Sequence, residues 1–248
     1  MTGRDRIPPG AEGSDHAEEA ERAFFGRRKG KRLRGAQEER LARLLPALRV
    51  ALPPGDAPLD PRALFPGLEP EGIWLEIGFG GGEHLAAQAR THPTVGIIGA
   101  EPFVNGVAKL LRTIDAEALA NVRIRDEDVT ALLDRLPDAC LDRVYLLYPD
   151  PWPKRRQRKR RFVSESSLAQ IARVLKDGGL FRFASDIDDY AGWTLARALR
   201  CRGLIWTAER AADWTSPYPG WPGTRYEAKA IAAGRRPTYL EFARVART

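Results

Sequence analysis

Short apolar segments alternate with helical segments from about Gly72 to the end of the chain, and this alternation limits the fold more than any other feature. The predicted strands are Ile73 to Ile77, Val95 to Ala100, Val122 to Arg125, Val144 to Tyr148, Leu180 to Ala184, Leu204 to Thr207 and Tyr239 to Val245. The predicted helices are Glu83 to Arg90, Phe103 to Ile114, Thr130 to Leu136, Glu165 to Leu175 and Asp189 to Arg202. Such alternation predicts an α/β fold, with a mostly parallel seven-stranded sheet and helices on both faces. A ligand is then expected at the carboxyl ends of the strands.

The residues before this region have a different character. Residues 1–40 are polar and charged with almost no apolar periodicity, which predicts a disordered basic arm. Residues 41–71 predict a short helix, from Leu41 to Val50, and then a linker rich in proline and glycine. The folded domain is therefore expected to span residues 72–248.

A second irregular segment, Ala208 to Pro237, is rich in Trp, Tyr, Pro and Gly, and a loop of this length is usually functional. Its aromatic side chains and Trp152 fit two roles, stacking on an exposed RNA base or packing in the core. Trp193 and Trp206 lie within predicted regular elements, so we expect them to be structural.

Charge is concentrated in one place. The chain of 248 residues has a formal net charge of +7, and Lys154 to Arg161 (KRRQRKRR) holds seven basic residues and no acid. A neutral domain with one basic stripe is typical of proteins that bind nucleic-acid phosphates. A second cluster, Arg27 to Arg34, is offset by neighbouring acids, and its pattern fits a solvated tail and a phosphate-binding segment equally.

Several classes of protein are disfavoured by what the sequence lacks. No apolar run approaches the roughly 20 residues of a membrane span, and the first residues have no signal-peptide core, so we expect a cytoplasmic protein without a membrane partner. Cys140 and Cys201 form no CxxC pair, and the three histidines, expected at the surface, have no metal-ligand spacing. We therefore expect no metal site.

A glycine-rich loop follows the first predicted strand in the segment LEIGFGGG, Leu75 to Gly82. Its glycines let the backbone turn sharply and approach a ligand closely. The dinucleotide pattern GxGxxG would need glycine at position 83, which is Glu83. S-adenosylmethionine has no phosphate and is cationic, so it tolerates carboxylates such as Glu76 beside Gly78. The loop thus favours S-adenosylmethionine over NAD.

Acidic residues also end the second and third predicted strands. Glu101 stands where a carboxylate accepts hydrogen bonds from the ribose hydroxyls of an adenosine in either cofactor class. Asp126 and Asp128 both follow the third strand, where an acid can receive the adenine amino group. We choose Asp128 because a helical run begins directly after it, and helix capping is the alternative role for these acids.

The fourth predicted strand runs into Tyr148 to Lys154 (YPDPWPK), where three prolines fix an extended turn. The segments YPDPWPKRRQRKRR, LEIGFGGG, ASD (Ala184 to Asp186) and TRYE (Thr224 to Glu227) together closely resemble the tRNA (guanine-N7-)-methyltransferase family. The resemblance spans about residue 72 to the C-terminus and leaves the first 70 residues without an assigned role.

The resemblance implies a Rossmann-like class I methyltransferase fold, with S-adenosylmethionine as cofactor and tRNA as partner. It further implies methyl transfer to N7 of the guanine at position 46 in the variable loop. The implied cofactor residues are Glu76, Gly78, Glu101, Asp128 and Asp150, and Asp150 is also the implied catalytic residue. The implied substrate residues are Lys154, Asp186, Thr224, Arg225, Tyr226 and Glu227, and the implied RNA-facing residues are Arg156, Arg158, Lys159, Arg160 and Arg161.

Three other functions are weighed against this one. An NAD-dependent oxidoreductase is disfavoured by the missing third glycine and by the absence of a catalytic His or Tyr-Lys pair. A catalytically silent RNA-binding protein on the same scaffold is disfavoured because all four acids of the cofactor set are present. Enzymes that methylate exocyclic amines commonly carry Asn or Asp before two prolines and an aromatic residue, whereas Pro151 and Trp152 follow Asp150. The sequence leaves open whether the protein is a monomer or a homodimer.

Overall fold

A seven-stranded sheet forms the centre of the described part of the chain, which in this computed structural model is Gly26 and residues 28–247. The strands are β1 (Gly72–Ile77), β2 (Val95–Ala100), β3 (Val122–Arg125), β4 (Leu141–Leu147), β5 (Leu175–Ser185), β6 (Leu204–Trp206) and β7 (Thr238–Arg244). The helices are α1 (Gly35–Leu48), α2 (Glu83–Thr91), α3 (Val104–Glu117), α4 (Val129–Arg135), α5 (Glu165–Val174), α6 (Asp188–Ala198), α7 (Ala212–Thr215) and α8 (Arg225–Ala232). A 3₁₀ helix spans Arg155–Arg160.

The order of the strands across the sheet is β3-β2-β1-β4-β5-β7-β6. All neighbours are parallel except β7, which is antiparallel to both β5 and β6. Ile77 at the end of β1 pairs with Ala100 of β2 and with Leu146 of β4, so the carboxyl ends of these strands lie level. The chain reverses its winding direction between β1 and β4, which is where an open α/β sheet leaves a crevice for a ligand. The predicted α/β fold with a mostly parallel sheet is confirmed.

Successive residues of β1 serve two cores. Ile73 and Leu75 pack into a cluster with α4, α5 and α6, whereas Trp74 packs into a second cluster with α1, α2 and α3. This follows from the period of two in a strand, because each face of a parallel sheet must be covered by helices. The helices accordingly lie on both faces of the sheet.

The segment before β1 packs on the domain. Helix α1 begins six residues earlier than the predicted helix, so residues 35–40, predicted as part of the arm, are helical. Arg40 and Arg43 of α1 both bond to Asp115 of α3, at 3.1 and 2.9 Å. The backbone N–H of Val50 donates to the Ile124 carbonyl of β3 at 2.8 Å. Residues 1–25 and Arg27 of the predicted arm lie outside the described residues.

The segment Ala208 to Pro237, predicted as irregular throughout, contains α8 and the short α7. Helix α8 begins with a capping box, in which Thr224 accepts from the Glu227 N–H at 3.0 Å and the Glu227 side chain accepts from the Thr224 N–H at 3.3 Å. A threonine followed three residues later by glutamate is the sequence signal for such a box, and it was present in TRYE. The prediction failed because the helix is only eight residues long and is flanked by glycines.

The structure also places the histidine and cysteine side chains that the sequence singled out. His84, expected at the surface, is buried with a relative exposure of 3%. Cys140 and Cys201 are half-buried free thiols. Within residues 28–247 and Gly26, no three His, Cys, Asp or Glu side chains are grouped as a metal site would require. No helix of this same part of the chain has the length and apolarity needed to cross a membrane.

The close approach of α3 to the glycine loop gives a stability prediction. A Cβ atom built on Gly106 of α3 would lie 2.1 Å from the Gly80 carbonyl oxygen, so Gly106→Ala must push two backbone segments apart. We expect it to lower the free energy of unfolding by about 1–3 kcal/mol, measured by urea denaturation.

The matched control is Gly192→Ala in α6, where an added Cβ meets nothing within 4 Å. Alanine there should raise the free energy of unfolding by about 0.5–1 kcal/mol, because it restricts the unfolded chain. Equal gains in both variants would show that α3 and the loop do not pack this closely.

Candidate functional site

A cavity of about 520 Å³ opens at the carboxyl ends of β1, β2 and β4. Its volume is within the usual range for small-ligand pockets. The residues that line the cavity include Gly78, Gly80, Glu101, Asp128, Tyr148, Asp150, Trp152, Lys159, Arg160 and Tyr226. The cavity thus has carboxylates, aromatic rings and cations around one space at the place where the topology predicts a ligand.

The glycine loop after β1 adopts a conformation that other residues rarely take. Gly78, Gly80 and Gly82 have φ of 70°, 58° and 78°. The Gly78 N–H donates to the Ala100 carbonyl of β2 at 2.8 Å, which fixes the first turn of the loop. A Cβ built on Gly78 would meet nothing within 4 Å, so the backbone presents an open surface on the cavity. The loop can therefore make close backbone contact with a ligand.

Glu101 after β2 is buried and tied to the loop. Its two carboxylate oxygens accept from the Gly80 N–H at 2.8 Å and from the Phe103 N–H at 2.9 Å. Burial raises the pKa of Glu101, the two backbone hydrogen bonds oppose that rise, and the nearby Asp150 charge adds to it. A carboxylate has about four acceptor positions, so two remain for ligand hydroxyls.

The two acids after β3 are separated by the structure. Asp128 caps α4, with its side chain accepting from the Thr130 N–H at 2.8 Å, and it also lines the cavity. Asp126 forms an ion pair with Arg49 at 2.6 Å. The capping role of Asp128 is therefore present, and its position leaves it available to a ligand, whereas Asp126 is engaged at the edge of the sheet.

Glu76 at the end of β1 is bonded to a side chain of the protein itself. Its carboxylate is 2.6 Å from His84 Nδ1, and both side chains are buried. The His84 ring packs against Tyr145 and Trp221, with centroid distances of 4.8 and 5.1 Å. Glu76 is not among the described residues that line the cavity. Its contact with a cofactor therefore stays a prediction.

The turn after β4 carries Asp150 at the cavity. Tyr148 and Trp152, on either side of it, have φ of 50° and 40°, values that are costly for residues with a Cβ. The Tyr148 N–H donates to the Ala184 carbonyl of β5 at 2.7 Å, which anchors the start of the turn. Asp150 itself is exposed and lines the cavity. Strain of this kind persists only when the surrounding structure holds it, so the backbone of the turn that carries Asp150 is held in place.

The basic run divides into two groups. Lys154, Arg156, Lys159 and Arg160 are exposed, and the Arg160 guanidinium lies 5.1 Å from the centre of the Trp152 ring. These four remain candidates for contact with RNA. Arg158 is partly exposed, and its guanidinium donates to Asp189 Oδ1 at 2.6 Å.

Arg161, predicted to face RNA, has a fully buried side chain, and that prediction is wrong. Its Nε donates to the Pro151 carbonyl at 2.8 Å, and its guanidinium also bonds to Asp189. The guanidinium lies 4.8 and 5.0 Å from the ring centres of Tyr190 and Trp193. The sequence could not separate Arg161 from its neighbours because burial depends on α6, which packs on it from elsewhere in the chain. Arg161 thus ties the turn after β4 to α6.

The four residues of TRYE also divide. Thr224 and Glu227 cap α8, and buried Glu227 accepts from Trp221 Nε1 at 2.7 Å and from the Tyr239 hydroxyl. Both residues therefore stabilise the loop, and a direct substrate contact for them stays a prediction. The sequence left two roles open for Trp221, stacking on an RNA base and packing within the protein. The bond to Glu227 shows that this partly buried side chain is packed within the protein.

Arg225 and Tyr226 face the glycine loop. Arg225 is 3.7 Å from Glu83, and Tyr226 stacks on Tyr148 with a centroid distance of 6.5 Å and an angle of 18° between the rings. Tyr148 was not predicted as a site residue, although it directly precedes the PDPW turn. The Asp186 carboxylate, after β5, is bonded to Arg235 at 2.6 Å.

Solved structures support the same type of fold. The crystal structure of 16S rRNA methyltransferase KamB matches with a TM-score of 0.53 and 15% identity, over 71% of this chain and 89% of that one. The [4+2]-cyclase SpnF matches with a TM-score of 0.50 and 16% identity, over 72% of this chain and 77% of that one. A cyclase on the same scaffold means that the fold alone does not fix the chemistry. The strand order and the glycine loop define a Rossmann-like fold of the class I methyltransferase type.

Sequence comparisons are more specific. A family model described as "Putative methyltransferase" matches residues 70–240. A tRNA (guanine-N(7)-)-methyltransferase of Rhizobium meliloti (strain 1021) is 58% identical, over 91% of this chain and 96% of the relative. A protein of the same name from Chelativorans sp. (strain BNC1) is 55% identical, over 93% and 98%. The chain belongs to the tRNA (guanine-N7-)-methyltransferase family.

The two groups of cations should respond differently to substitution. Arg161→Met keeps much of the apolar volume but removes the bonds to Pro151 and Asp189, so we expect a loss of about 2 kcal/mol in the free energy of unfolding. Arg156→Met removes an exposed cation and should change it by less than about 0.5 kcal/mol. Urea denaturation of both variants measures the difference, and equal stability would show that Arg161 does not hold the turn.

Proposed function

We propose that this chain is a tRNA (guanine(46)-N7)-methyltransferase that uses S-adenosylmethionine and acts in the cytoplasm. The observation that carries the proposal is the position of Asp150. This carboxylate sits on a strained turn between a cavity lined by Glu101 and Asp128 and an exposed set of cations on the 3₁₀ helix. A nucleoside cofactor on one side and RNA on the other would meet at Asp150.

The residues at the cavity fit the cofactor. The open backbone at Gly78 leaves space where a side chain would otherwise block a ligand. Glu101 would accept hydrogen bonds from the ribose hydroxyls, and Asp128 would accept from the adenine amino group. When bound, S-adenosylmethionine supplies an electrophilic methyl group, whose bond to sulfur breaks as its bond to guanine N7 forms while sulfur keeps the electron pair.

Asp150 would act by positioning. Guanine N7 has an in-plane lone pair and no proton, so its attack needs no general base. The carboxylate would accept hydrogen bonds from guanine N–H groups and hold N7 in line, and positioning of this kind can supply several kcal/mol of the barrier reduction. The methylated purine is cationic, and a fixed carboxylate beside it would also stabilise the developing charge.

The RNA would lie along the exposed cations. Lys154, Arg156, Lys159 and Arg160 would contact phosphates, and these contacts would place the variable loop over the cavity. A guanine turned out of its stack would find aromatic surfaces in the Tyr148–Tyr226 pair and in Trp152, which lie around the same space. Tyr226 lines the cavity, and Asp186, Arg225 and Tyr226 remain proposed substrate residues.

The proposal predicts a defined product. Purified protein should transfer the labelled methyl group of S-adenosylmethionine to unmodified tRNA. Borohydride reduction followed by aniline should then cleave the tRNA at position 46. Asp150→Asn keeps the size of the side chain but not its charge, so we expect kcat to fall by roughly 100-fold or more. The matched control is Asp134→Asn, because Asp134 also lines the cavity but is bonded to Gln170 at 3.2 Å.

The alternatives give other results. Label on an exocyclic nitrogen would assign the chain to a different class of nucleic-acid methyltransferase. Binding of both tRNA and S-adenosylmethionine without transfer would identify a catalytically silent RNA-binding protein. An unchanged kcat for Asp150→Asn would remove this residue from the site while leaving the reaction itself in place.

Cofactor binding gives a separate prediction. Both side-chain oxygens of Glu101 accept backbone N–H groups, from Gly80 and from Phe103. In Glu101→Gln an amide N–H must face one of these two donors, so that contact becomes repulsive. We expect the affinity for S-adenosylmethionine to fall by about tenfold or more, at a cost of about 1.4 kcal/mol per tenfold. Isothermal titration calorimetry measures it, and an unchanged Kd would show that Glu101 does not shape the cofactor site.

A further inference from the structure

The basic segment before α1, for which the sequence left a solvated tail and a phosphate-binding role open, is held against α3. The Val104 N–H donates to the Arg28 carbonyl at 3.1 Å. Asn105 makes two bonds with its side-chain amide: Oδ1 accepts from the Gly30 N–H at 2.8 Å, and Nδ2 donates to the Lys31 carbonyl at 2.7 Å. One side chain thus satisfies a backbone donor and a backbone acceptor of consecutive residues. Asn105 therefore fixes which residues of the segment lie against α3.

Packing supports the same placement. A Cβ built on Gly30 would lie 2.8 Å from Phe103 Cζ and 2.9 Å from Asn105 Oδ1, so the segment fits closely only because residue 30 is glycine. Phe103 lines the cavity, and so does Gly26. The held segment therefore reaches the rim of the cavity where the cofactor is proposed to bind.

The side chains of this segment are cationic and exposed. Lys29, Lys31 and Arg32 are all exposed, and none of them is within ion-pair distance of a carboxylate among the described residues. Lys159 and Arg160 of the 3₁₀ helix line the cavity, and the cationic segment packs on Phe103, which also lines it. Cations from two distant parts of the sequence thus lie near one cavity, an arrangement that suits a polyanion in contact with both.

We propose that residues 28–34 form a second phosphate-binding segment for the RNA substrate, and that Asn105 is the positioning residue that holds it at the cavity. The identity of the RNA as tRNA rests on the proposed function. The ligand chemistry is the phosphodiester backbone, because exposed lysine and arginine side chains bind phosphate without reading a base. The segment should act on affinity, since none of residues 28–34 is among the residues that line the cavity.

The test is the salt dependence of tRNA affinity in the full-length protein. Replacing Lys29, Lys31 and Arg32 together by Gln should make the slope of log K against log salt less negative by about 2–3, and should weaken binding about tenfold at 0.15 M salt. Asn105→Ala keeps every cation but frees the segment, so we expect a smaller change in the same direction. Combining Asn105→Ala with the three substitutions should add almost nothing, because both act through one element.

A glycine pair checks the placement without removing a polar group. Gly30→Ala should weaken tRNA binding as Asn105→Ala does, whereas Gly35→Ala, where a Cβ meets nothing within 4 Å, should not. The Kd for S-adenosylmethionine should change less than twofold in all variants, which separates a local effect from unfolding.

The outcomes separate this proposal from the proposed function. An unchanged salt slope in the triple variant, or additive effects with Asn105→Ala, would overturn the inference even if the wild-type protein methylates guanine N7. A reduced slope with no methyl transfer by the wild-type protein would support the phosphate-binding segment and overturn the reaction. A loss of cofactor binding in Asn105→Ala alone would assign Asn105 to the cofactor site and overturn its proposed role.

Discussion

The level alignment of three strand ends is the constraint on which the site depends. Ile77 of β1 pairs with Ala100 and Leu146, so the glycine loop, Glu101 and the turn that carries Asp150 start from the same line across the sheet. Parallel strands must leave the sheet at one edge, and reversal of the winding beside β1 leaves room there. The loop then closes on Glu101 through the Gly80 N–H, which couples the backbone that would contact a cofactor to the carboxylate beside it.

The second important feature is the use of charge. A continuous basic run looks uniform in sequence, yet Arg158 and Arg161 bond to Asp189, whereas their neighbours face solvent. Burying a guanidinium is expensive unless its donors are satisfied, and Arg161 has a carbonyl, a carboxylate and two aromatic rings around it. This bonding places the strained turn after β4 on a rigid support. A residue that must stay fixed for catalysis gains from such a support, because small displacements of reacting groups reduce the rate strongly.

Among the residues around the cavity are some from four parts of the chain that are distant in sequence. The loop after β1, the turn after β4, α8 and the segment before α1 contribute Gly80, Asp150, Tyr226 and Gly26. The aromatic pair Tyr148 and Tyr226 joins two of these parts directly. This arrangement explains how acidic, aromatic and cationic side chains come together around one small cavity.

The sequence by itself determined the sheet, because apolar residues with a period of two and helices between them leave few other folds. It also determined the glycine loop and the acids after β2 and β3, since these follow strand ends that the pattern locates, and the four motifs were sufficient to indicate the family. Only the tertiary structure decided which residues of a motif face the cavity. Glu76 is bonded to buried His84, Arg161 is buried by α6, and Glu227 is enclosed by Trp221 and Tyr239. The physical reason is that burial and pairing depend on elements that are far away in sequence, whereas local patterns record only periodicity and turn chemistry.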